Sequence, residues 1–208
     1  MDPGRTEDHM LELAILGLLK QQPMHGYQLS RELGDSLGGF WRVSYGSLYP
    51  TLRRLERDGL VAPVPGESTG GRRKKTVFGI TEQGERAFLD LLQETPNDSS
   101  TEDARFRVRL AFFRYLPPET RIRLLERRLA YLTERLGTID DSLRTTREGD
   151  DDYTLSLMEH GRSATRSDIE WLDGLIQNER TNTRTRDLER GGARSHRTAV
   201  LSRKEHTS

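Results

Sequence analysis

The chain contains no cysteine. That excludes disulfides, iron–sulfur clusters and thiolate zinc sites, and it suits a reducing compartment. Nor does it contain an apolar run near the roughly 18 residues that mark a membrane-spanning helix. Its N-terminus lacks a signal-peptide pattern, so a soluble, cytoplasmic protein without a membrane partner is expected. Net charge is missing as well: 33 basic and 33 acidic residues balance to +0. A globally basic nucleic-acid binder is therefore excluded, and any nucleic-acid footprint must be a local patch. Mean hydropathy is −0.77, with 32% charged residues. So little apolar material predicts an elongated shape, or helices that complete their burial against a second subunit.

What is present is helical periodicity, interrupted once. Residues 1–8 are polar and read as frayed. Met10 to Lys20 carries Leu11, Ala14, Ile15, Leu18 and Leu19 at helical spacing, and Pro23 ends it. A second helix over 25–37 has Tyr27, Leu29, Leu33 and Leu37 on one side, and Gly38-Gly39 breaks it. Ser44 is the expected N-cap of a third helix that runs to about Asp58, with Gly59 as its stop. Leu60 to Val64 and Lys75 to Ile80 are β-like, and the Gly- and Pro-bearing turn between them predicts a hairpin. Thr81 then caps a helix over Glu82 to Gln93. Three helices, a hairpin and a closing helix describe a winged helix-turn-helix.

Beyond a linker over 94–100, a helix is expected from Glu102 to Leu116, and Pro117-Pro118 opens another. That one carries Ile122, Leu125, Leu129, Leu132, Leu136, Ile139 and Leu143, alternating steps of three and four. This is a heptad stripe. Residues 149–152 read as a turn, and a last helix over Tyr153 to Asn178 carries Leu172 and Ile176. The fold class is mainly α with a small β-hairpin. Domains are expected at 1–94 (winged helix-turn-helix, DNA-binding), 95–180 (antiparallel, coiled-coil dimerisation helices) and 181–208 (a disordered tail rich in Arg, Thr and Ser).

The third helix is the chemically informative one. Leu48, Leu52 and Leu55 give it an apolar back. Ser47, Thr51 and Arg54 read as the opposite face, with Tyr49 and Arg53 on the flank. Hydroxyls and arginines on such a front suit a DNA major groove, and the helix N-terminus favours a phosphate. Tyr45 and Tyr49 fit a phosphate contact and packing against the hairpin equally well. At the hairpin tip stands Arg72-Arg73-Lys74-Lys75. Four adjacent cations repel one another in isolation, but beside a duplex they release counterions. The candidate DNA-binding set is thus Tyr45, Ser47, Tyr49, Thr51, Arg53, Arg54, Arg72, Arg73, Lys74 and Lys75.

His25-Gly26-Tyr27, Gly46-Ser47-Leu48-Tyr49-Pro50, Leu52-Arg53-Arg54-Leu55, Gly59-Leu60-Val61 and Ile80-Thr81-Glu82-Gln83-Gly84 occur in that order over residues 10–93. Together they resemble the PadR family of bacterial transcription regulators, in its branch with a longer C-terminal domain. The resemblance implies a winged-helix homodimer on double-stranded operator DNA, most often a repressor relieved by a small hydrophobic or aromatic effector. It also implies dimerisation by the C-terminal helices. The stripe from Ile122 to Leu143, with Leu172 and Ile176, is the expected dimer surface. Trp171 reads first as a core anchor and, through the resemblance, as an effector contact alongside Trp41. Thr76 and Gly79 depart from the family's usual wing strand.

Other signals are weak. Gly66 to Gly71 lacks the Lys and Ser/Thr of a phosphate-binding loop. The five histidines share no metal-ligand spacing, and His25 is expected to fix the start of the second helix. No nucleophile or acid–base constellation stands out, so neither an enzyme nor a bound metal or cofactor is expected. The alternative function is a winged-helix protein–protein adaptor without DNA binding.

Overall fold

The computed structural model describes residues 3–36, 45–65, 76–94, 102–145 and 152–204. Its elements are α1 (Pro3–Leu19), β1 (Met24–His25), α2 (Gly26–Ser36), α3 (Tyr45–Arg57), β2 (Val61–Pro63), β3 (Val77–Ile80), α4 (Glu82–Gln93), α5 (Glu102–Leu110), α6 (Pro118–Thr145) and α7 (Asp152–Lys204). They form two compact units, Met1–Leu116 and Pro117–Ser208.

In the first unit α1 is the central helix. Met10, Leu11, Leu13, Ala14, Ile15, Leu16, Leu18 and Leu19 are all buried, which is burial on nearly every side. It packs against α2, α3, α4, α5 and β3. The helix begins at Pro3, earlier than the polar N-terminus implied, because proline is tolerated in a first helical turn.

The hairpin forms as expected. Val61, Ala62 and Pro63 stand opposite Ile80, Gly79 and Phe78, and the Val64 N–H donates to the Val77 carbonyl at 2.9 Å. A third strand joins the two that the sequence predicts. Met24 and His25 pair with Phe78 and Val77, giving the antiparallel order β1-β3-β2. Two residues are too few to show the alternation that marks a strand.

Residues 102–116, expected in the second domain, pack in the first unit instead. The Phe112 ring lies on Gly17 of α1, where a methyl group would meet the ring at 2.5 Å. Phe112 and Tyr115 both stand edge-on to Phe88 of α4, with centroids 5.7 and 5.6 Å away. The expected helix to Leu116 ends at Leu110, followed by a single 3-10 turn over Phe113–Tyr115.

In the second unit α6 and α7 form an antiparallel hairpin. Arg162 with Asp140 at 2.6 Å, Arg180 with Glu126 at 2.6 Å and Arg121 with Glu179 at 3.0 Å join the two helices. Leu125, Leu132, Leu172 and Ile176 are buried within one chain. Ile122, Leu129, Leu136, Ile139 and Leu143 are half-buried. The heptad stripe therefore finds its partner in α7 of the same chain, and its most buried members are not left over for a second subunit.

Past residue 181, where a tail is expected, α7 continues to Lys204. No proline follows Pro118 to stop a helix. The hydroxyls of Thr181, Thr183 and Thr185 each donate to the carbonyl four residues back, at 2.9, 2.8 and 3.1 Å. Threonine thus satisfies its polar group inside the helix.

The expected N-cap Ser44, the break at Gly38-Gly39, most of the 94–100 linker and most of the 149–152 turn lie outside the described residues. Among the described residues no helix is long and apolar enough to cross a membrane.

Candidate nucleic-acid interface

The site is built around α3. Its buried face consists of Leu48, Thr51, Leu52 and Leu55, spaced i, i+3, i+4 and i+7. Thr51 is only 4% exposed, so it is a core residue and not part of the front. Residue 51 lies one turn from both Leu48 and Leu55, which puts it between them. Its hydroxyl suggested a surface role that its angular position forbids. The exposed face runs through Gly46, Pro50, Arg53 and Arg57, at i, i+4, i+7 and i+11. Ser47 is exposed on one flank and Tyr49 on the other. Pro50 has no N–H to give the Gly46 carbonyl, so α3 lacks that one i→i−4 hydrogen bond.

Arg54 also departs from expectation. Its guanidinium turns back to α1, with Nη1 3.6 Å from Asp8 and Nη2 3.4 Å from Glu12. Arg53, by contrast, has no ion pair among the described residues, and the exposed Arg57 reaches only its neighbour Asp58, at 3.5 Å. Burial raises the Glu12 carboxyl above its usual range. Arg54 and His9 pull it down, while Asp58 and Asp8 push it further up.

Three local devices hold this helix in place. Gly59 ends it in the left-handed region, at φ +72°. The Thr81 hydroxyl donates to the Gly59 carbonyl at 2.7 Å and accepts from the Gly84 N–H at 3.0 Å. The Thr81 N–H donates to the Leu60 carbonyl at 3.1 Å. One residue thus caps α4 and ties it to the end of α3. Gly84 is required for this join, because a methyl group there would stand 2.0 Å from the Leu60 oxygen.

At the other end of α3, the Tyr49 ring lies over Gly26, where a methyl would meet it at 2.8 Å. His25 fixes the start of α2, as expected. The Gln28 N–H donates to His25 Nδ1 at 3.0 Å, and the His25 N–H donates to the Gln28 side chain at 3.2 Å. This is a reciprocal capping box with histidine in the serine role. The sequence motif around Gly26 and Tyr49 is therefore a packing join as well as a surface feature.

The wing cations Arg72, Arg73, Lys74 and Lys75 lie outside the described residues, as do Trp41 and the Tyr45 side chain. In sequence the four cations fall between β2 and β3, just before Thr76. Trp171 is 47% exposed, so it is no core anchor within the chain. Among the described residues no group of three or more His, Asp or Glu side chains could hold a metal ion.

These features define a winged helix-turn-helix protein whose third helix presents an arginine-bearing outer face. The model of the transcriptional regulator PadR-like family matches residues 15–90, and that of the virulence activator alpha C-terminal region matches 104–178. Transcriptional regulator Rv3488 of Mycobacterium tuberculosis is 39% identical over 80 residues, covering 38% of this chain and 70% of the relative. The negative transcriptional regulator PadR of Bacillus subtilis is 26% identical over 136 residues, covering 63% and 74%. The chain belongs to the PadR-like family of transcriptional regulators. Crystal structures of the Bacillus subtilis protein have been solved with operator DNA and with p-coumaric acid. They match 81% and 82% of this chain and 98% of their own, at 21% identity, with TM-scores of 0.38 and 0.37.

Proposed function

We propose that this chain is a cytoplasmic, homodimeric repressor that binds operator DNA and releases it on binding a small hydrophobic or aromatic effector. The carrying observation is the outer face of α3. Gly46, Pro50, Arg53 and Arg57 are exposed together on a helix whose other face is fully committed to the core. Arg53 is the base-reading candidate, since its guanidinium can take two acceptors on a guanine edge. Tyr49, Ser47 and the helix N-terminus suit phosphates. The wing cations Arg72, Arg73, Lys74 and Lys75 would grip the backbone without reading sequence. Relatives named as transcriptional regulators, one of them solved with operator DNA, support the reading.

Two-fold operators call for two copies of α3, and so for a dimer. The surface that suits this is on α7. Tyr153, Leu157, His160, Ala164, Ser167 and Trp171 are all exposed and follow steps of four and three. None of them is Asp, Glu, Lys or Arg, in a chain that is 32% charged. An uncharged heptad seam left open is suited to a matching helix of a second copy. The effector would act by preferring one spacing of the two reading helices, with Trp171 as an aromatic contact.

The test is selection of fragments from the host genome by the full chain, followed by gel shifts at two salt concentrations. Salt-sensitive binding that prefers recovered fragments over random duplex supports the reading. Absence of any preference overturns it.

A further inference from the structure

The three arginines of α3 do different things. Arg53 and Arg57 stand on the outer face. Arg54 sits on the flank and spends its charge inside the protein. Its two terminal nitrogens reach Asp8 and Glu12, which are one helical turn apart on α1. The Glu12 side chain is 17% exposed and that of Arg54 32%. The Glu12 arm of the bridge therefore lies in the α1–α3 seam, with Asp8, 51% exposed, at its rim.

An apolar face cannot do what this bridge does. Leu48, Leu52 and Leu55 hold α3 against the core, but apolar contact has no direction and tolerates small rotations. The hydrogen bond from Arg54 Nη2 to Glu12, at 3.4 Å, is directional, and the ion pair from Nη1 to Asp8 at 3.6 Å adds a second anchor on the same helix. Because the bridge is off the helix axis, it opposes rotation of α3 about that axis. Rotation matters here, because a reading group must be held to within about 0.5 Å to stay productive.

The bridge is poorly explained as a stabilising device. Burial outweighs Arg54 at Glu12, so the carboxylate is held there against its own preference for water. Asp8 and Asp58, both acidic and both felt at Glu12, oppose its charge further.

We propose that Arg54 is a positioning residue, which grips Asp8 and Glu12 to fix the rotation of α3 and so aims Arg53 and Arg57 at DNA. The proposal rests on the reading of this chain as an operator-binding regulator. It gives Arg54 a role in sequence preference without a contact to DNA.

The experiment compares the full-length wild type with Arg54→Met, Glu12→Gln and the swap Arg54→Glu/Glu12→Arg. Each is titrated with the strongest genomic fragment and with random duplex of equal length, at a temperature where all are folded. Arg54→Met should weaken fragment binding about tenfold and random binding no more than about twofold, since base readout depends on alignment and phosphate attraction does not. The swap should regain at least about half of that loss on a logarithmic scale, as expected of partners in contact. Equal losses on both DNAs would make Arg54 a phosphate contact and overturn the proposal. So would a swap weaker than both single variants. Should Arg54→Met not fold, Glu12→Gln/Asp8→Asn carries the same comparison, because it removes the partners and leaves the arginine. A wild type without preference for any fragment overturns the functional reading and this proposal together. A wild type with preference that all variants retain overturns only the proposal.

Discussion

Helices α3 and α7 are both amphipathic, and they use their faces in opposite ways. The apolar face of α3 is wholly consumed inside its unit, and what remains outward is polar and cationic. In α7 the side turned to α6 is partly polar. Arg162, Arg180, Glu179 and the buried Thr165 lie along it with Leu172 and Ile176. Its uncharged stripe of Tyr153, Leu157 and Trp171 faces outward instead, with Tyr153 83% and Leu157 70% exposed. A helix with a spent apolar face offers charge to a partner, and one with an unspent apolar face offers surface to bury. The first suits nucleic acid and the second suits protein.

The same contrast appears in the glycines, and it can be broken most sharply there. Gly84→Ala should destabilise the first unit by at least about 3 kcal/mol, because the added methyl strikes the Leu60 backbone carbonyl and not a movable side chain. A thermal melt within a degree or two of wild type would show that the α3–α4 join is softer than described. Next comes Leu157→Arg. Light scattering should report twice the 23.9 kDa chain mass for wild type and the single mass for the variant. Persistence of the dimer would move its surface elsewhere.

Arg53→Ala should cost about 1–3 kcal/mol on a preferred fragment and far less on random duplex. Lys74→Ala should weaken both alike and lower the salt slope by about 1. Identical behaviour of the two variants in gel shifts would erase the division between reading and gripping. In the other unit, Gly137→Ala meets nothing within 4 Å and should raise stability by roughly 0.5–1 kcal/mol. A loss there would mean that α6 is covered at that point.

The smallest effect concerns Glu12. Its folded carboxyl titrates above the ordinary value of 4.5 because of burial. Its contribution to stability is therefore present at acid pH and is lost as pH rises through the folded value. Glu12→Gln, neutral throughout, should melt about 1–3 °C above wild type at pH 7 and equal to it near pH 4. The opposite ordering would mean that Arg54 outweighs burial.

What the chain discloses in advance depends on how local the cause is. The bounds of α4 follow from Thr81 and the residues just after it, and the stop of α3 from Gly59, since capping acts within a few positions. The His25 cap is equally local. The Arg54 bridge spans 42 residues to Glu12, and nothing in the helix itself announces it. The Thr51 hydroxyl suits a surface, but its angular place between Leu48 and Leu55 buries it. The stripe expected on α6 as a dimer surface packs in part on α7 of its own chain, where Leu125 and Leu132 are buried. A heptad pattern states that a seam exists, but a second helix of the same chain satisfies it as well as a helix of another. The strand Met24–His25 exists only because β3 is there to receive it.

The Thr81 hydroxyl bears on how motion can pass through the first unit. It donates to the Gly59 carbonyl just past α3 and accepts from the Gly84 amide in the first turn of α4, with the β3 strand ending at the residue before it. Three elements thus meet at one oxygen atom. Within this unit α4 also carries Phe88, on which the rings of Phe112 and Tyr115 rest. Rotation of α4 would strain the bond from Thr81 to the Gly59 carbonyl, so the end of α3 and the start of α4 share one anchor that lies outside the leucine core.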